Sequence, residues 1–157
     1  MTEVRIDAIV NGEPMALTAP LDGNLLHALR DAGLLSPKAG CEEGRCGACS
    51  VRLEGDIVYA CLVPAVRCDG ARIGTAEGGV PGDLADALVA QGGVQCGFCT
   101  PGFVMAIEDL LSRAGQGPLT EQDVRGALAG NLCRCTGYAA IVAAVLDVDQ
   151  RRRPQCR

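Results

Sequence analysis

The chain has 157 residues, enough for one ordinary domain or two small ones, and 48% of them are hydrophobic, so a buried core can form. Its formal net charge of −5 argues against a nucleic acid or an anionic membrane surface as a partner. The ten cysteines are too many to be explained by packing and require a chemical role.

The cellular compartment bears on what that role is. The first residues lack a basic segment followed by an apolar one, and no apolar run approaches the roughly 20 residues needed to span a bilayer. We therefore expect a cytoplasmic protein with no membrane span. In that compartment, clustered thiols bind metal or carry out redox chemistry more often than they form disulfides.

The N-terminal half predicts a small α+β domain over residues 1–76. Apolar residues alternate from Val4 to Val10, and Asn11-Gly12 is a hairpin turn signal that leads into a second strand. A helix follows and ends near Gly33. Two more short strands are expected on either side of the turn at Glu54-Gly55.

The C-terminal half predicts helices only. The glycine-rich segment 77–82 reads as a linker, and from residue 83 to residue 150 apolar residues recur at helical spacing in four stretches. Pro101 suits the first position of a helix, and Thr120 suits an N-cap. Residues 151–157 form a basic tail that we expect to be flexible.

Four cysteines, the first cysteine group, have the spacing of plant-type [2Fe-2S] ferredoxins. They are Cys41, Cys46, Cys49 and Cys61. The glycines between them allow a loop with unusual dihedral angles, whose backbone N–H groups can point at sulfur atoms. A zinc site is the alternative, but structural zinc usually takes paired C-x2-C knuckles.

A second cysteine group combines a C-x2-C pair with a later C-x-C pair. Its members are Cys96, Cys99, Cys133 and Cys135. Both pairs precede predicted helices, whose N-termini stabilise thiolates. This spacing alone fits either zinc or an iron–sulfur cluster, but beside the first group it predicts a second [2Fe-2S] cluster.

The remaining chemically reactive residues have simpler interpretations. Cys68 follows an apolar stretch and is expected to be a small buried hydrophobic residue, and Cys156 an incidental thiol in the tail. His27 is the single histidine, which excludes a Rieske centre built within this chain because that centre needs two histidine ligands. Tyr138 is expected to pack beneath the last cysteine loop. No catalytic residue is predicted.

Three motifs together resemble a known family. The strings CEEGRCGACS at 41–50, QCGFCTPG at 95–102 and NLCRCTGY at 131–138 are similar to the iron–sulfur subunits of the xanthine dehydrogenase, aldehyde oxidoreductase and carbon monoxide dehydrogenase family. The resemblance implies a β-grasp ferredoxin-like domain followed by a four-helix bundle, each holding one [2Fe-2S] cluster. It also implies a large subunit with a molybdenum–pterin dinucleotide and a medium FAD-binding subunit.

The resemblance also implies roles for two residues beside the pterin. Gln95 would hydrogen-bond the pterin from a buried loop, and Cys135 would be the cluster ligand closest to it. A helix-capping amide is the alternative for Gln95. The apolar loops at Gly97-Phe98 and Leu132 suit a cluster buried against the molybdenum subunit, whereas the charged loop at 42–45 suits one near solvent.

Three functions follow from this sequence. The first is an electron-transfer subunit that passes electrons from molybdenum through the bundle cluster to the ferredoxin-like cluster and then to a flavin or another acceptor. The second is a free-standing two-cluster ferredoxin, and the third is a zinc-stabilised interaction module. In the first case, substrate selectivity would reside in the partner's pocket.

Overall fold

The computed structural model describes residues 2–115 and 117–153. The described strands form one sheet: β1 Glu3–Val10, β2 Glu13–Pro20, β3 Ser50–Leu53, β4 Asp56–Tyr59 and β5 Arg72–Gly74. The described α-helices are α1 Leu25–Asp31, α2 Gly82–Ala90, α3 Thr100–Arg113, α4 Glu121–Ala127 and α5 Ala139–Arg152. The predicted α+β architecture is confirmed, with β1 to β5 and α1 forming a sheet part and α2 to α5 a helical part.

The sheet part has the strand order β2-β1-β5-β3-β4, with β1 parallel to β5 and the other pairs antiparallel. The β1–β2 turn uses positive φ angles at Asn11 (53°) and Gly12 (90°), which a two-residue hairpin turn of this kind requires. The sheet packs against α1, so that Ile6 and Leu17 share one core with Leu29. Sequence patterning did not predict β5, because three residues are too few to show a period.

The helical part has its own core. Thr120 caps α4 in a reciprocal capping box with Asp123, and Pro101 lies in the first turn of α3, both as predicted. Phe103 meets the ring of Tyr138 edge-on with 5.8 Å between ring centroids. The largest fully buried side chains of this core are Leu84, Phe103, Ile107, Leu128 and Ile141.

The predicted linker at 77–82 is fixed to the sheet part at its start. Ala76–Gly78 forms a 3-10 turn, and the carboxylate of Glu77 accepts hydrogen bonds from the backbone N–H groups of Leu35 (2.7 Å) and Ser36 (2.8 Å). These two hydrogen bonds anchor the start of the linker.

The last helix continues past the predicted boundary at residue 150. Its extension is held by Arg152, whose guanidinium pairs with Asp83 of α2 (2.7 Å) and Glu108 of α3 (3.2 Å). The hydrogen bond from Arg152 lowers the pKa of Asp83 to about 2. The first arginines of the basic tail therefore belong to the helical part, and residues 154–157 lie outside the described residues.

Polar pairs join the sheet part to the helical part. Arg52 of β3 pairs with Asp109 of α3 at 2.9 Å, with both side chains less than a third exposed. Arg113 pairs with Asp109 (3.0 Å) and with Asp56 at the start of β4 (3.0 Å). These contacts fix α3 across β3 and β4, and thereby fix the start of α3 beside the first cysteine loop.

In the described part of the chain, no helix is both long and apolar enough to cross a bilayer. The cytoplasmic location stays a prediction from the sequence.

Candidate metal centres

The first cysteine group lies on a loop between α1 and β3 and on a 3-10 turn, Ala60–Leu62, that follows β4. The loop winds through left-handed backbone at Glu42 (φ 54°), Gly44 (φ 71°) and Gly47 (φ 67°). Glycine suits the left-handed backbone at Gly44, where a residue with a side chain would be strained. The winding brings Cys61 to the cysteines of the loop, as the ferredoxin-like spacing predicts.

The thiols of the first group meet as two pairs. Cys41 and Cys46 lie close enough for Cys46 to affect the pKa of Cys41, and Cys61 likewise affects the pKa of Cys49. Cys49 and Cys61 are buried, and burial raises the pKa of Cys49.

Backbone N–H groups stabilise the thiolate form of one cysteine in this group. The N–H groups of Glu43 (3.4 Å) and Arg45 (3.3 Å) donate to Cys41 Sγ and lower its pKa to about 7. The same donors would stabilise the charge of a metal-bound thiolate.

The second cysteine group also forms two pairs. The Sγ atoms of Cys96 and Cys135 are 3.6 Å apart, and Cys99 and Cys133 lie close enough for each to affect the other's pKa. Burial opposes ionisation of Cys133, but the Thr136 hydroxyl (3.1 Å) and backbone N–H (3.4 Å) donate to its sulfur and bring its pKa down to about 7. Burial also raises the pKa of Cys99.

The second group lies at helix starts, as predicted. Cys99 immediately precedes α3, and α5 begins shortly after Cys135. The hydroxyl of Tyr138 accepts from the N–H of Cys133 (2.9 Å) and donates to the carbonyl of Asn131 (3.0 Å), so the ring supports the C-x-C loop from below. This is the packing role expected for Tyr138.

The paired arrangement suits a binuclear cluster better than a single ion. A zinc ion would require four ligands around one centre at about 2.3 Å from each sulfur. Two pairs of thiols instead match the four cysteine thiolates of a [2Fe-2S] cluster, two at each iron. Both cysteine groups fit that cofactor.

Comparison with known proteins agrees with this chemistry. Residues 8–72 match the 2Fe-2S iron-sulfur cluster binding domain family, and residues 73–146 match the [2Fe-2S] binding domain family. The xanthine dehydrogenase iron-sulfur-binding subunit of Escherichia coli O157:H7 is 43% identical over 153 residues, covering 95% of this chain and 96% of that protein. The chain belongs to the iron–sulfur subunits of the xanthine dehydrogenase family.

Two further relatives show how far the likeness extends. The nicotine 6-hydroxylase small subunit of Paenarthrobacter nicotinovorans is 44% identical over 148 residues, covering 92% of this chain and 88% of that one. In the crystal structure of quinoline 2-oxidoreductase from Pseudomonas putida 86, one chain matches with a TM-score of 0.85 at 35% identity, covering 97% of this chain and 99% of that chain. This iron–sulfur subunit therefore shares its whole fold with its relatives, and the predicted family and cofactor class are confirmed.

The loop of Gln95 lies on the surface of this chain. Gln95 is exposed, as are Cys96 and Cys135. Nearby, Phe98 is 48% exposed and Leu132 is 57% exposed. Both side chains line a recess of about 500 Å³ beside the second cysteine group. Both apolar side chains are left substantially exposed by the described residues, and their expected burial against the molybdenum subunit stays a prediction.

The other sequence-predicted residues have clear positions. Cys68 is fully buried in the core of the sheet part, whereas Cys156 lies outside the described residues. His27 contacts the carboxylate of Glu42 through Nε2 at 2.7 Å. Sequence reasoning assigned no role to Asn131, which is 4% exposed and contacts the first cysteine loop. The sequence feature that could have drawn attention to Asn131 is its position inside the third motif, two residues before Cys133.

Proposed function

We propose that this chain is the electron-transfer subunit of a molybdenum-containing hydroxylase. Electrons would pass from the molybdenum–pterin centre of a large subunit through this chain to an FAD-binding subunit or another acceptor. The observation that carries the proposal is the presence of two sets of paired thiols in one chain whose relatives are iron–sulfur subunits. Each bound [2Fe-2S] cluster would supply a one-electron redox couple.

The chain's own residues would hold and tune those clusters. We assign all eight cysteines of the two groups as ligands, with Cys68 and Cys156 left over. Backbone N–H groups at Glu43 and Arg45 would stabilise the first set of thiolates, and Thr136 the second. Hydrogen bonds to ligand sulfur atoms and solvent exposure both shift a cluster's potential. The two sites differ in both respects, so we expect two distinct potentials.

Exposed apolar side chains form a rim around the second cysteine group, and they support a docked protein partner on this side of the chain. Phe98 and Leu132 flank the recess, and Gln95 and Cys135 are exposed nearby. Apolar side chains of this size beside a redox site favour a docked protein over water. We therefore place the molybdenum subunit on this rim, with Gln95 and Cys135 facing the pterin.

The first cysteine loop offers a second surface on which a partner subunit could dock. Its edge carries the exposed charges Glu42, Glu43 and Arg45, with Leu62 59% exposed next to Cys61. A charged, partly apolar edge is typical of interfaces that form between separately folded subunits. We propose that the acceptor subunit, an FAD-binding chain, docks here.

A free-standing two-cluster ferredoxin is the second candidate. It would also need the paired thiols, but it would leave the apolar rim at Phe98 and Leu132 permanently in water. A zinc-stabilised module would need four ligands around one ion, whereas the thiols of each group lie in two close pairs. The rim and the pairing therefore favour the electron-transfer subunit over both alternatives.

Changing Leu132 to Glu tests the docking of the molybdenum subunit. Burying an unpaired carboxylate in the interface costs several kcal/mol, so binding should weaken by about a hundredfold or more. The measurement is the amount of large subunit that co-purifies with a tagged chain of unchanged iron content.

Val89→Glu is the matched control, since Val89 is 71% exposed on α2 and does not line the recess. Recovery of the partner should be normal with this variant. If the two variants retained the large subunit equally well, the rim would not be the docking surface.

Gln95→Ala tests the proposed pterin contact in the assembled complex. Loss of the amide should slow reduction of the chain by the complex's substrate, because the hydrogen bond that orients the pterin would be gone. Reduction by dithionite should be unaffected, since that route does not involve the pterin. Substrate reduction at the wild-type rate would show that Gln95 has no part in this step.

A further inference from the structure

Three consecutive residues of the helical part are hydrogen-bonded to the sheet part just before Cys133. The carbonyl of Gly130 accepts from the hydroxyl of Tyr59 at 3.1 Å. The amide of Asn131 donates through Nδ2 to the carbonyl of Gly47 at 3.1 Å, and the N–H of Leu132 donates to the carbonyl of Cys46 at 2.9 Å. The loop of the second cysteine group is thereby joined to the loop of the first.

Glycines make this close contact possible. A Cβ at Gly47 would collide with the carbonyl of Gly130 and would lie 2.6 Å from Asn131 Nδ2. A Cβ at Gly102 would collide with the Gly47 carbonyl, and one at Gly130 with the Tyr59 hydroxyl. Three glycines therefore meet around the Asn131 side chain, and no side chain of their own separates the two loops.

Asn131 is the polar side chain enclosed at this contact. It is 4% exposed, one of few buried polar residues in the described chain. The buried amide of Asn131 has a hydrogen-bond partner in the carbonyl of Gly47. If the amide were removed, that carbonyl would lose this donor. Its bond reaches the backbone between Cys46 and Cys49, while its own backbone leads directly to Cys133.

We propose that Asn131 is a positioning residue that fixes the distance between the two clusters. This inference rests on the proposed function, because it requires a cluster in each cysteine group. The Asn131 side chain holds the Gly47 carbonyl in place. This preserves the hydrogen bond from the Leu132 N–H to the Cys46 carbonyl and excludes water from the contact. Without the amide, the two loops separate and the clusters move apart, although every cysteine ligand remains.

The test is the dipolar coupling between the two reduced clusters, measured by pulsed EPR on the dithionite-reduced complex. This coupling falls with the cube of the distance between the spins. Asn131→Asp keeps the shape of the side chain but places a carboxylate oxygen, which cannot donate, against the Gly47 carbonyl. This variant should lower the coupling frequency while its iron content stays full. Asn131→Ala, which removes the donor without adding charge, should lower it as well.

Asn11→Asp is the matched control. It removes an amide donor to the Thr75 hydroxyl (3.0 Å) in the β1–β2 turn, away from both cysteine groups, and should leave the coupling unchanged. An unchanged coupling frequency in the two Asn131 variants would overturn the inference. So would loss of iron or of the fold in both variants, since Asn131 would then serve folding rather than spacing. Absence of iron–sulfur signals in the wild-type protein would instead reject the proposed function.

Discussion

Replacing Cys99 by serine is expected to remove one whole cluster, about two irons per chain, and one of the two EPR signals of the reduced protein. Cys99 is half-buried beside Cys133, and an oxygen in its place would leave the second group with three of the four thiolates proposed to hold its cluster. The first cysteine group should keep its cluster, because its ligands come from another loop and turn. Cys49→Ser should give the reciprocal result, with the other signal lost.

Iron analysis and EPR on the same samples measure both effects. Cys68→Ala is the matched control, because Cys68 is fully buried in the same core as Cys49 but is assigned no iron. It should retain the full iron content. Loss of about two irons from the Cys68 variant would mean that Cys61 is not the fourth ligand of the first cluster.

Replacing Gly47 by alanine is expected to lower the free energy of unfolding by about 3 kcal/mol. Left-handed backbone costs a non-glycine residue roughly 1–2 kcal/mol, and forcing a methyl into a packed contact adds roughly 1–3 kcal/mol. Gly47 has φ 67°, and its Cβ would press on Gly130 and Asn131. The measurement is chemical denaturation of the variant and the wild type, both loaded with iron.

The variant Gly70→Ala separates the cost of left-handed backbone from the cost of the packing clash. Gly70 has a matching φ of 72°, but no atom lies within 4 Å of the position a Cβ would take. This variant should lose only the backbone part, about 1–2 kcal/mol. Equal losses in the two variants would show that the contact between the cysteine loops is not tightly packed.

Local signals in the sequence predicted most of the secondary structure. The Asn11-Gly12 turn, the first-turn proline of α3 and the capping box at Thr120 each depend on a few neighbouring residues, and all three occur in the structure. Strand β5 was missed because its partners are distant in sequence: it pairs with β1 and β3, and its three residues carry no period of their own.

The candidate site was predictable in its residues but not in its surroundings. Cysteine spacing indicated the two groups, because four thiolates must reach one cluster from a loop and one further segment. The bond between Asn131 and Gly47 joins positions 84 residues apart and leaves no local pattern. The apolar character of the loops beside Gln95 indicates burial against a partner, and their exposure in this chain leaves them free for that contact. The assignment of the eight ligands stays a prediction.

Metal analysis of the complex purified from its native cells through a tag on this chain tests the central claim most directly. We expect about four irons per chain, no stoichiometric zinc, and a co-purifying larger subunit that carries molybdenum. Iron in a chain that purifies alone, without molybdenum, would contradict the claim in favour of a free-standing ferredoxin. Zinc in place of iron would contradict it in favour of an interaction module.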